Sequence, residues 1–495
     1  MKIMLNKKSI GVIGSGFAGL ASASVLASEG HSVHLYEKNQ ELGGRARQFQ
    51  AEGFIFDMGP SWYWMPDVFD RFFERFGKKT ADYYDLKQLD PGFQVIFGEN
   101  DTMKIPASFD ELIDQFEQIE SGAGTALQRF IKDAEYKYDV GINDLVYKPG
   151  FSLTEYLEPR VIKGALRLQI FSSFRKHVQK HFKHPRLRAL MEFPVLFLGA
   201  MPQDTPALYS LMNYAGLKQG TFYPMGGFGK VIDGMADLAR DLGAVIHNSE
   251  PVQKLEVSDS RIGYISANGN SMNVDGVIGA ADYNHIEQNL LNREHRNYSS
   301  EYWDKKVFAP SCLLFYLGVD KKITNLEHHN LFFDEDLEPH AVNIYKDPMW
   351  PDKPLFYVCA PSVTDSSVAP EGKENLFVLM PLAPNLHDEE EIREHYFEKL
   401  MARLEAHTGE SVREHIIYKK SYCVSDFKKD YNAYKGNAYG LANTLNQTAI
   451  LKPSLRNKKV KNLFYAGQLT APGPGVPPSL ISGQIAAEQL LKKLS

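Results

Sequence analysis

Four residues near the start of the chain have the types and spacing that bind a pyrophosphate and a ribose. Gly14, Gly16 and Gly19 form a Gly-x-Gly-x-x-Gly run, and Glu37 follows about twenty positions later. Gly14 permits a tight turn, Gly16 lets the backbone approach a pyrophosphate, and Gly19 lets a helix pack closely on a strand. A carboxylate at the distance of Glu37 accepts hydrogen bonds from ribose hydroxyls. The run therefore predicts a dinucleotide site.

A strand, a helix and a second strand must position these residues. The apolar run 9–13 predicts a buried strand, residues 18–28 predict a helix, and residues 31–36 predict the second strand. The helix would present free N–H groups and its positive dipole end to the phosphates. A glycine run alone is a weak signal, and a purely structural glycine turn is its alternative. The strand, the helix and the acid around it favour dinucleotide binding.

The residues after Glu37 distinguish one dinucleotide from another. The segment 37–46 contains Lys38 and the triplet Gly43-Gly44-Arg45. It resembles the continuation found in FAD proteins of the amine oxidase and carotenoid desaturase superfamily. The resemblance implies that FAD is the cofactor, that this turn passes beside its diphosphate with Arg45 near the flavin, and that Lys38 and Gly44 belong to the site. A surface ion pair is the alternative for Arg45.

A second segment, Asp57-Met-Gly59-Pro60-Ser61, resembles the Asp-x-Gly-Pro-Ser segment of the same superfamily. In that family the segment runs close to the isoalloxazine ring, which implies that Gly59, Pro60 and Ser61 bind the cofactor. We expect Asp57 to hold a turn rather than to take part in chemistry.

Two segments in the middle of the chain extend the resemblance. A Gly-rich loop at 223–229 opens a predicted helix over 230–242, and two predicted strands follow it. The resemblance implies that Val252, on the second strand, contacts the adenine through backbone groups. It also implies that the strand and turn ending at Asp282 return to the nucleotide domain.

The C-terminal segment is the most specific of these motifs. A predicted strand ends at a glycine, a Pro/Gly-rich loop follows, and an apolar helix is predicted over 479–493. The resemblance implies that the helix directs its dipole at the N1–O2 edge of the flavin, where it would stabilise negative charge on the reduced ring. The residues that it assigns to the cofactor are Gly467, Gln468, Gly475, Val476 and Pro477.

Composition limits the class of protein. The chain has 495 residues, a net charge of −6 and 43% hydrophobic residues, so two or three ordinary globular domains are expected. No apolar stretch is long enough for a transmembrane helix, and the N-terminus lacks a signal-peptide pattern. Three cysteines without metal-type spacing fit packing roles in a reducing compartment. We therefore expect a cytoplasmic protein.

The segment 160–188 is strongly basic. It contains nine Lys and Arg residues, and no acid occurs from 159 to 191. The apolar residues recur every four positions, at Ile162, Leu166, Ile170, Phe174, Val178 and Phe182. This pattern predicts one helix lying on an anionic membrane surface, at the inner face of the membrane. An ordinary domain helix with a solvated basic face is the alternative.

Two other readings of the basic segment are disfavoured. The rest of the chain is acidic and shows no recognition fold, so no nucleic-acid partner is expected. His177, His181 and His184 lie among cations without a carboxylate partner, so no metal site is expected.

The cofactor motifs divide the chain into five stretches. The FAD-binding domain is predicted from 1–90, 221–300 and 436–495, and the substrate domain from 91–220 and 301–435. The predicted fold class is α/β, a Rossmann-type FAD-binding domain with an inserted α+β substrate domain and a helical membrane-facing subdomain.

Taken together, the motifs resemble the bacterial-type phytoene desaturases over nearly the whole chain. The resemblance implies FAD-dependent desaturation of a linear carotenoid, from phytoene toward neurosporene or lycopene, by hydride transfer to flavin N5. Many relatives carry His-Pro-Gly near the C-terminus, where this chain has Ala471-Pro472-Gly473. That histidine therefore cannot be a required acid or base here, and the sequence identifies neither a catalytic residue nor an oligomeric state.

Other functions remain open at this point. Within the flavoenzymes, they are a later-pathway carotenoid desaturase, a carotene isomerase and a retinol saturase. Outside catalysis, a prenyl or lipid carrier of similar fold is the alternative, although carriers do not keep a full flavin site. A soluble amine oxidase would need aromatic residues near the flavin, for which Trp62, Tyr63 and Trp64 are available.

Overall fold

A parallel five-stranded sheet is assembled from three separate parts of the chain. The computed structural model describes residues 7–156, 168–170, 172–444 and 446–495. In spatial order the strands of this sheet are Leu463–Tyr465, Gly276–Gly279, Ser9–Ile13, Ser32–Tyr36 and Val245–His247. Its central strands are short apolar runs that are largely buried, as parallel strands covered on both faces require.

The register of this sheet brings four strand ends together. Ile13 lies opposite both Tyr36 and Gly279, and Gly279 lies opposite Tyr465. Because the strands are parallel, the turns that follow them emerge at one edge. Ligands of open α/β sheets bind at such carboxyl edges. The glycine run, Glu37 and the segment that begins at Ala466 are therefore neighbours in space.

Two helices cover this sheet through close glycine contacts. Helix Phe17–Ser28 follows the glycine run, and a Cβ on Gly19 would lie 1.8 Å from the carbonyl oxygen of Gly14. Helix Val476–Leu494 packs against it, and a Cβ on Gly483 would lie 2.1 Å from the carbonyl oxygen of Ala18. Both approaches require residues without a side chain.

A mixed seven-stranded sheet forms the second layer. Its strands in spatial order are Ile416–Tyr422, Ser311–Val319, Glu374–Leu382, Phe356–Cys359, His329–Phe332, Phe93–Gly98 and Asp101–Ile105. All neighbours are antiparallel except the fifth and sixth strands. Helix Glu390–Thr408 covers one face, where Phe397 packs on Phe315 at 5.2 Å. Side chains alternate along a strand, so Tyr357 and Cys359 belong to the opposite face.

Smaller elements complete the architecture. The remaining strands are Gln48–Ala51, Phe54–Asp57, Leu86–Gln88, Phe222–Pro224, Val252–Ser258, Arg261–Ala267 and Asn270–Asn273. Within the described residues, the remaining α-helices are Pro66–Glu74, Phe109–Ile119, Ala123–Tyr138, Phe174–His181, Pro185–Glu192, Leu211–Tyr214, Phe228–Asp241, Tyr283–His285, Ser300–Asp304, Leu337–Tyr345 and Val424–Tyr431.

The basic segment does not form the single helix predicted from its apolar stripe. Residues 160–167, with Ile162 and Leu166, lie outside the described residues. The chain forms a turn at 169–170, and a short helix, Phe174–His181, ends before the extended residue Phe182. The side chains of Phe174, Val178 and Phe182 are fully buried.

The partner of that stripe is the protein core. Phe182 contacts Phe130 of helix Ala123–Tyr138 at 5.9 Å and Phe116 at 5.6 Å. The prediction that these three side chains face a membrane is therefore wrong, because periodicity indicates that a face is buried but not what buries it. Across the described ranges, no helix combines the length and apolar character needed to cross a bilayer.

Asp57 connects the strand pair near the N-terminus to the helix that follows the glycine-rich loop at 223–229. Its carboxylate accepts N–H bonds from Phe228 at 2.8 Å and Gly229 at 3.2 Å, and an amide bond from Gln48 at 2.7 Å. These donors include the free N–H groups that begin helix Phe228–Asp241, so Asp57 caps a helix remote in sequence. Burial raises the pKa of Asp57 to about 6.

Replacing Asp57 by alanine should destabilise the fold. The substitution leaves the buried N–H groups of Phe228 and Gly229 without an acceptor and removes one of the two acceptors of the Gln48 amide, so we expect the free energy of unfolding to fall by about 3 kcal/mol. Chemical denaturation of the FAD-loaded protein measures this change. Asp237→Ala, at an exposed position of the same helix, is the matched control and should change stability by less than about 0.5 kcal/mol. Equal effects of the two substitutions would contradict the capping role.

Candidate functional site

One cavity of about 660 Å³ extends from the carboxyl edge of the five-stranded sheet to the inner face of the seven-stranded sheet. All residues predicted to bind the cofactor line it except Gly19, whose contact with Gly14 places it behind the turn. Residues from positions 14 to 477 therefore lie around the same cavity.

The nucleotide end of the cavity surrounds Glu37. This carboxylate is 4% exposed and accepts bonds from the Ser15 N–H at 3.0 Å and the Ser15 hydroxyl at 2.7 Å. Its second oxygen accepts the Asn39 N–H at 2.9 Å. The Asn39 side-chain amide also donates to this oxygen, at 3.1 Å, so protein groups fill the roughly four acceptor positions of the carboxylate and hold it rigidly.

The next part of the cavity has the features of an anion site. A Cβ on Gly44 would lie 3.4 Å from Cα of Gly16, so side chains at this crossing would fill the space. Gly16 precedes helix Phe17–Ser28, and no side chain caps the helix. Phe17 and Ala18 of its first turn line the cavity, and N–H groups of a first turn have no partner within the helix. These residues fit the diphosphate of a dinucleotide.

Arg45 adds a positive charge to this part. Its guanidinium donates to the carbonyl oxygen of Asn437 at 3.1 Å and lies 5.1 Å from the ring of Tyr431. Nε is buried without a hydrogen-bond partner among the described residues. Burial lowers the pKa of Arg45, and Asp282 opposes this shift. Arg45 is thus not the surface ion pair considered above, and its free donor suits an anionic ligand.

Other predicted cofactor residues already have partners within the protein. Asp282 accepts N–H bonds from His285 at 3.1 Å and Tyr434 at 3.2 Å, which fixes the turn after its strand. Lys38 lines the cavity, but its ammonium donates to the carbonyl oxygen of Lys429 at 2.7 Å. Both residues stabilise the walls of the site.

The last helix begins earlier than its sequence predicts. It starts at Val476 rather than at Ser479, after Gly475, whose φ is 110°. Pro477 and Pro478 therefore occupy the first turn, where a missing N–H costs nothing. No side chain caps this helix, and its N-terminus lines the cavity, so its positive dipole end faces the cavity.

Ser61 lies where the two ends of the cavity meet. The Ser61 and Tyr357 hydroxyl oxygens are 2.9 Å apart, and the Tyr357 oxygen is 2.5 Å from Nδ1 of His329. The ring of Trp62 stacks on His329 at 4.1 Å, with an interplanar angle of 8°. Sequence reasoning found Ser61 and missed both Tyr357 and His329. Both residues lie on buried strands of the seven-stranded sheet, and no local motif marks them.

The far part of the cavity is apolar. It is lined by Phe193, Met212, Leu331, Phe333, Ile344 and Leu379. His340 also lies here, and both ring nitrogens are occupied: Nδ1 accepts the Leu355 N–H at 3.0 Å, and Nε2 donates to the Pro381 oxygen at 2.9 Å. Burial lowers the pKa of His340 to about 4, so the ring is neutral and adds no charge to this wall.

The histidines of the basic segment have structural contacts. His184 accepts the Arg186 N–H through Nδ1, and His177 packs on Phe130 at 4.9 Å. Tyr63, one of the three aromatic residues available for an amine site, is buried against Phe69 at 4.4 Å and does not line the cavity. Trp62 and Trp64 do.

Comparison with known proteins identifies the family. Residues 17–491 match the family described as flavin-containing amine oxidoreductase. A carotenoid 3,4-desaturase of Haloarcula japonica is 43% identical over 494 residues, which cover 99% of both chains. A zeta-carotene-forming phytoene desaturase of Myxococcus xanthus is 31% identical over 98% of this chain and 94% of its own.

Solved structures agree on the fold. A cyclohexylamine oxidase from Brevibacterium oxydans has a TM-score of 0.60 at 14% identity and covers 99% of both chains. A putrescine oxidase has a TM-score of 0.62 at 14% identity and covers 98% of this chain and 99% of its own. The expected FAD cofactor and the family resemblance are confirmed, together with an oxidoreductase fold of mixed α/β content. This chain belongs to the flavin-containing amine oxidoreductase family, in its carotenoid desaturase branch, and its cofactor is FAD.

Proposed function

We propose that this protein desaturates a linear carotenoid that is already partly conjugated, as a later-pathway desaturase does. The observation that carries the carotenoid substrate is the single cavity that joins an anion-binding end to a long apolar wall. The later step is supported by identity, which is 43% to a carotenoid 3,4-desaturase and 31% to a phytoene desaturase. Phytoene, the substrate expected from the motifs, is the second candidate.

We assign the predicted cofactor residues to FAD in the order in which they line the cavity. Glu37 would accept a ribose hydroxyl in exchange for the Asn39 side-chain amide, and the turns at Gly16 and Gly44 with Arg45 would hold the diphosphate. The segment Gly59–Ser61 and the N-terminus of helix Val476–Leu494 would border the flavin. Bound FAD supplies the acceptor for the hydride that leaves the substrate.

The apolar wall would bind and orient the polyene. A substrate without polar groups gains affinity from burial, at roughly 0.8 kcal/mol per CH₂. The same wall excludes water from the reacting carbons. A carbon that has lost a hydride is electron-poor, so exclusion of water prevents its hydroxylation.

Three alternatives make different predictions for the purified protein. An isomerase would rearrange double bonds without net oxidation. A lipid carrier would bind the polyene without turnover. An amine oxidase would consume amines, but only two of its three candidate aromatic residues line the cavity.

The substrate assay separates these functions. Purified holoprotein is incubated with liposomes that contain either phytoene or a linear carotenoid with an extended conjugated system, together with an electron acceptor. We expect loss of two hydrogens and a red-shifted spectrum with the conjugated substrate, and little conversion of phytoene, measured by mass spectrometry and absorption. Faster conversion of phytoene would favour the earlier step. Oxidation of simple amines with neither carotenoid converted would refute the proposal.

Removing the charge of Glu37 should weaken FAD binding. Glu37→Gln keeps the size of the side chain but loses a charged acceptor, and such a hydrogen bond contributes about 1.5–3 kcal/mol. We therefore expect the FAD dissociation constant to rise about 10-fold or more, measured by flavin fluorescence during titration of the apoprotein. The exposed neighbour Glu41 provides the control Glu41→Gln, which should bind FAD normally. Unchanged affinity of Glu37→Gln would contradict the ribose assignment.

We also propose peripheral association with the cytoplasmic face of the membrane, because the substrate dissolves in lipid. Arg175 pairs with Glu192 and Glu338, and Arg186 pairs with Asp101, so these cations are partly neutralised. The exposed lysines of the described part of the segment are Lys176, Lys180 and Lys183. They are the side chains available to anionic headgroups.

Neutralising the three lysines together should weaken binding to anionic vesicles. Each contributes about 1 kcal/mol near a charged surface, so we expect at least about a 10-fold loss of partitioning for the Lys→Gln triple variant in co-sedimentation. The matched control replaces the exposed lysines Lys254, Lys458 and Lys459. Equal losses in both triple variants would indicate a non-specific charge effect and contradict this docking site.

A further inference from the structure

Desaturation releases a proton as well as a hydride, and the carboxylates that line the cavity are already engaged. Glu37 binds Ser15 and Asn39, Asp282 caps a turn, and Asp430 pairs with Arg47. All three lie beside the nucleotide turns. Among the described residues, the lining of the apolar part contains no carboxylate. The proton acceptor must therefore be sought among hydroxyl and imidazole groups.

Ser61, Tyr357 and His329 form one continuous hydrogen-bonded chain. The Ser61 and Tyr357 oxygens are 2.9 Å apart, and the Tyr357 oxygen is 2.5 Å from Nδ1 of His329. His329 is fully buried, and its Nε2 has no partner in the described chain. An imidazole whose Nδ1 lies within hydrogen-bond distance of a tyrosine hydroxyl, connected to a cavity through two hydroxyls, is arranged to receive a proton at that nitrogen.

The hydrogen-bonded chain begins at Ser61, at the place where substrate and cofactor must meet. A Cβ on Gly59 would lie 2.6 Å from the carbonyl oxygen of Arg45, so the segment that carries Ser61 packs on the cofactor turn. Tyr357 belongs to strand Phe356–Cys359 of the seven-stranded sheet. Ser61 and Tyr357 both line the cavity at this junction.

His340 provides a contrast on the same wall. Both of its nitrogens are occupied by backbone groups, so it cannot accept a proton without losing a hydrogen bond. The other tyrosines of the cavity are Tyr36, Tyr345, Tyr431 and Tyr439, and none of them has a hydrogen-bonded imidazole within the described ranges. Burial raises the pKa of the Cys359 thiol to about 12, so this neighbour of His329 stays protonated.

We infer that Ser61, Tyr357 and His329 are the proton relay of the desaturation, an inference that rests on the proposed function. The substrate gives a hydride to FAD, which is thereby reduced. The C–H bond on the adjacent carbon then breaks, and its electron pair becomes the new C=C bond. Its proton binds Oγ of Ser61, the Ser61 proton moves to the Tyr357 oxygen, and the Tyr357 proton moves to Nδ1 of His329.

The carbocation that remains after hydride loss is so acidic that a weak base is sufficient. Burial lowers the pKa of His329 well below its usual value, so the ring is neutral before the reaction. A polyene that has lost a hydride is a carbocation, and its C–H bonds are strongly acidic. The face of Trp62 lies 4.1 Å from the imidazole and stabilises the imidazolium once it forms. After product release, the proton returns from His329 to the cavity through Tyr357 and Ser61.

The roles of the three residues differ. Ser61 and Tyr357 border the cavity and are placed to contact the substrate. His329 acts through Tyr357 and is a positioning and proton-storing residue. Tyr357→Phe removes the central oxygen while keeping the ring, so it interrupts the relay with the smallest change in packing.

The test uses the FAD-loaded full-length chain under anaerobic conditions. The rate at which the desaturated product forms in a single turnover, from the carotenoid that wild-type protein converts, is measured by rapid quench in H₂O and D₂O. We expect Tyr357→Phe to lower this rate about 100-fold or more and to abolish the solvent isotope effect. FAD content should be unchanged. Tyr396→Phe, which removes a buried hydroxyl bonded to Pro351 away from the cavity, is the matched control and should keep both the rate and the isotope effect.

A readout without turnover tests the hydrogen bond itself. The exchangeable proton between Tyr357 and His329 should give a resolved signal in the proton NMR spectrum that is lost in Tyr357→Phe and kept in Tyr396→Phe. If Tyr357→Phe does not retain FAD, Ser61→Ala carries the same kinetic test. A rate and isotope effect like those of wild type in either variant would overturn the relay. Wild-type protein that converts no carotenoid would instead overturn the proposed function, and the relay with it.

Discussion

The register of the parallel five-stranded sheet is the constraint on which the rest of the structure depends. Ile13, Tyr36, Gly279 and Tyr465 end at one edge because their strands are paired residue by residue. A slip of one residue would turn every buried side chain of a strand to the opposite face. The register therefore holds the three cofactor segments together, although hundreds of residues separate them in the chain.

Buried charges maintain this assembly because each is satisfied by a distant segment. Asp57 caps a helix that begins at Phe228. Glu287 is fully buried and accepts the Tyr465 hydroxyl and two N–H groups of the loop at 297–298. Burial raises the pKa of Glu287 to about 7, so its charge is tolerated only with these bonds in place. Asp57 thus connects the N-terminal part of the chain to its middle, and Glu287 connects the middle to the strand Leu463–Tyr465.

The cavity changes character along its length, and this gradient explains its chemistry. At one end, glycine backbones, free N–H groups and Arg45 suit a diphosphate. At the other, aromatic and aliphatic side chains suit a hydrocarbon. Polar groups occur between them, where Ser61, Tyr357 and His329 are hydrogen-bonded in a row. A reaction that separates a hydride from a proton needs an electron acceptor and a base at one place, and under the proposed relay both would meet at this junction.

The sequence by itself determined the nucleotide turn, the cofactor and the family, because glycine spacing and strand polarity are local properties. The positions from Gly14 to Pro477 were predicted to serve one site, and they line one cavity apart from Gly19. Only the tertiary structure decided what buries the apolar side chains of the basic segment, because Phe174 and Val178 pack on the core. Only the tertiary structure joined Ser61 to Tyr357. Periodicity indicates that a face is buried but not its partner, and no local signal connects residues so far apart in the chain.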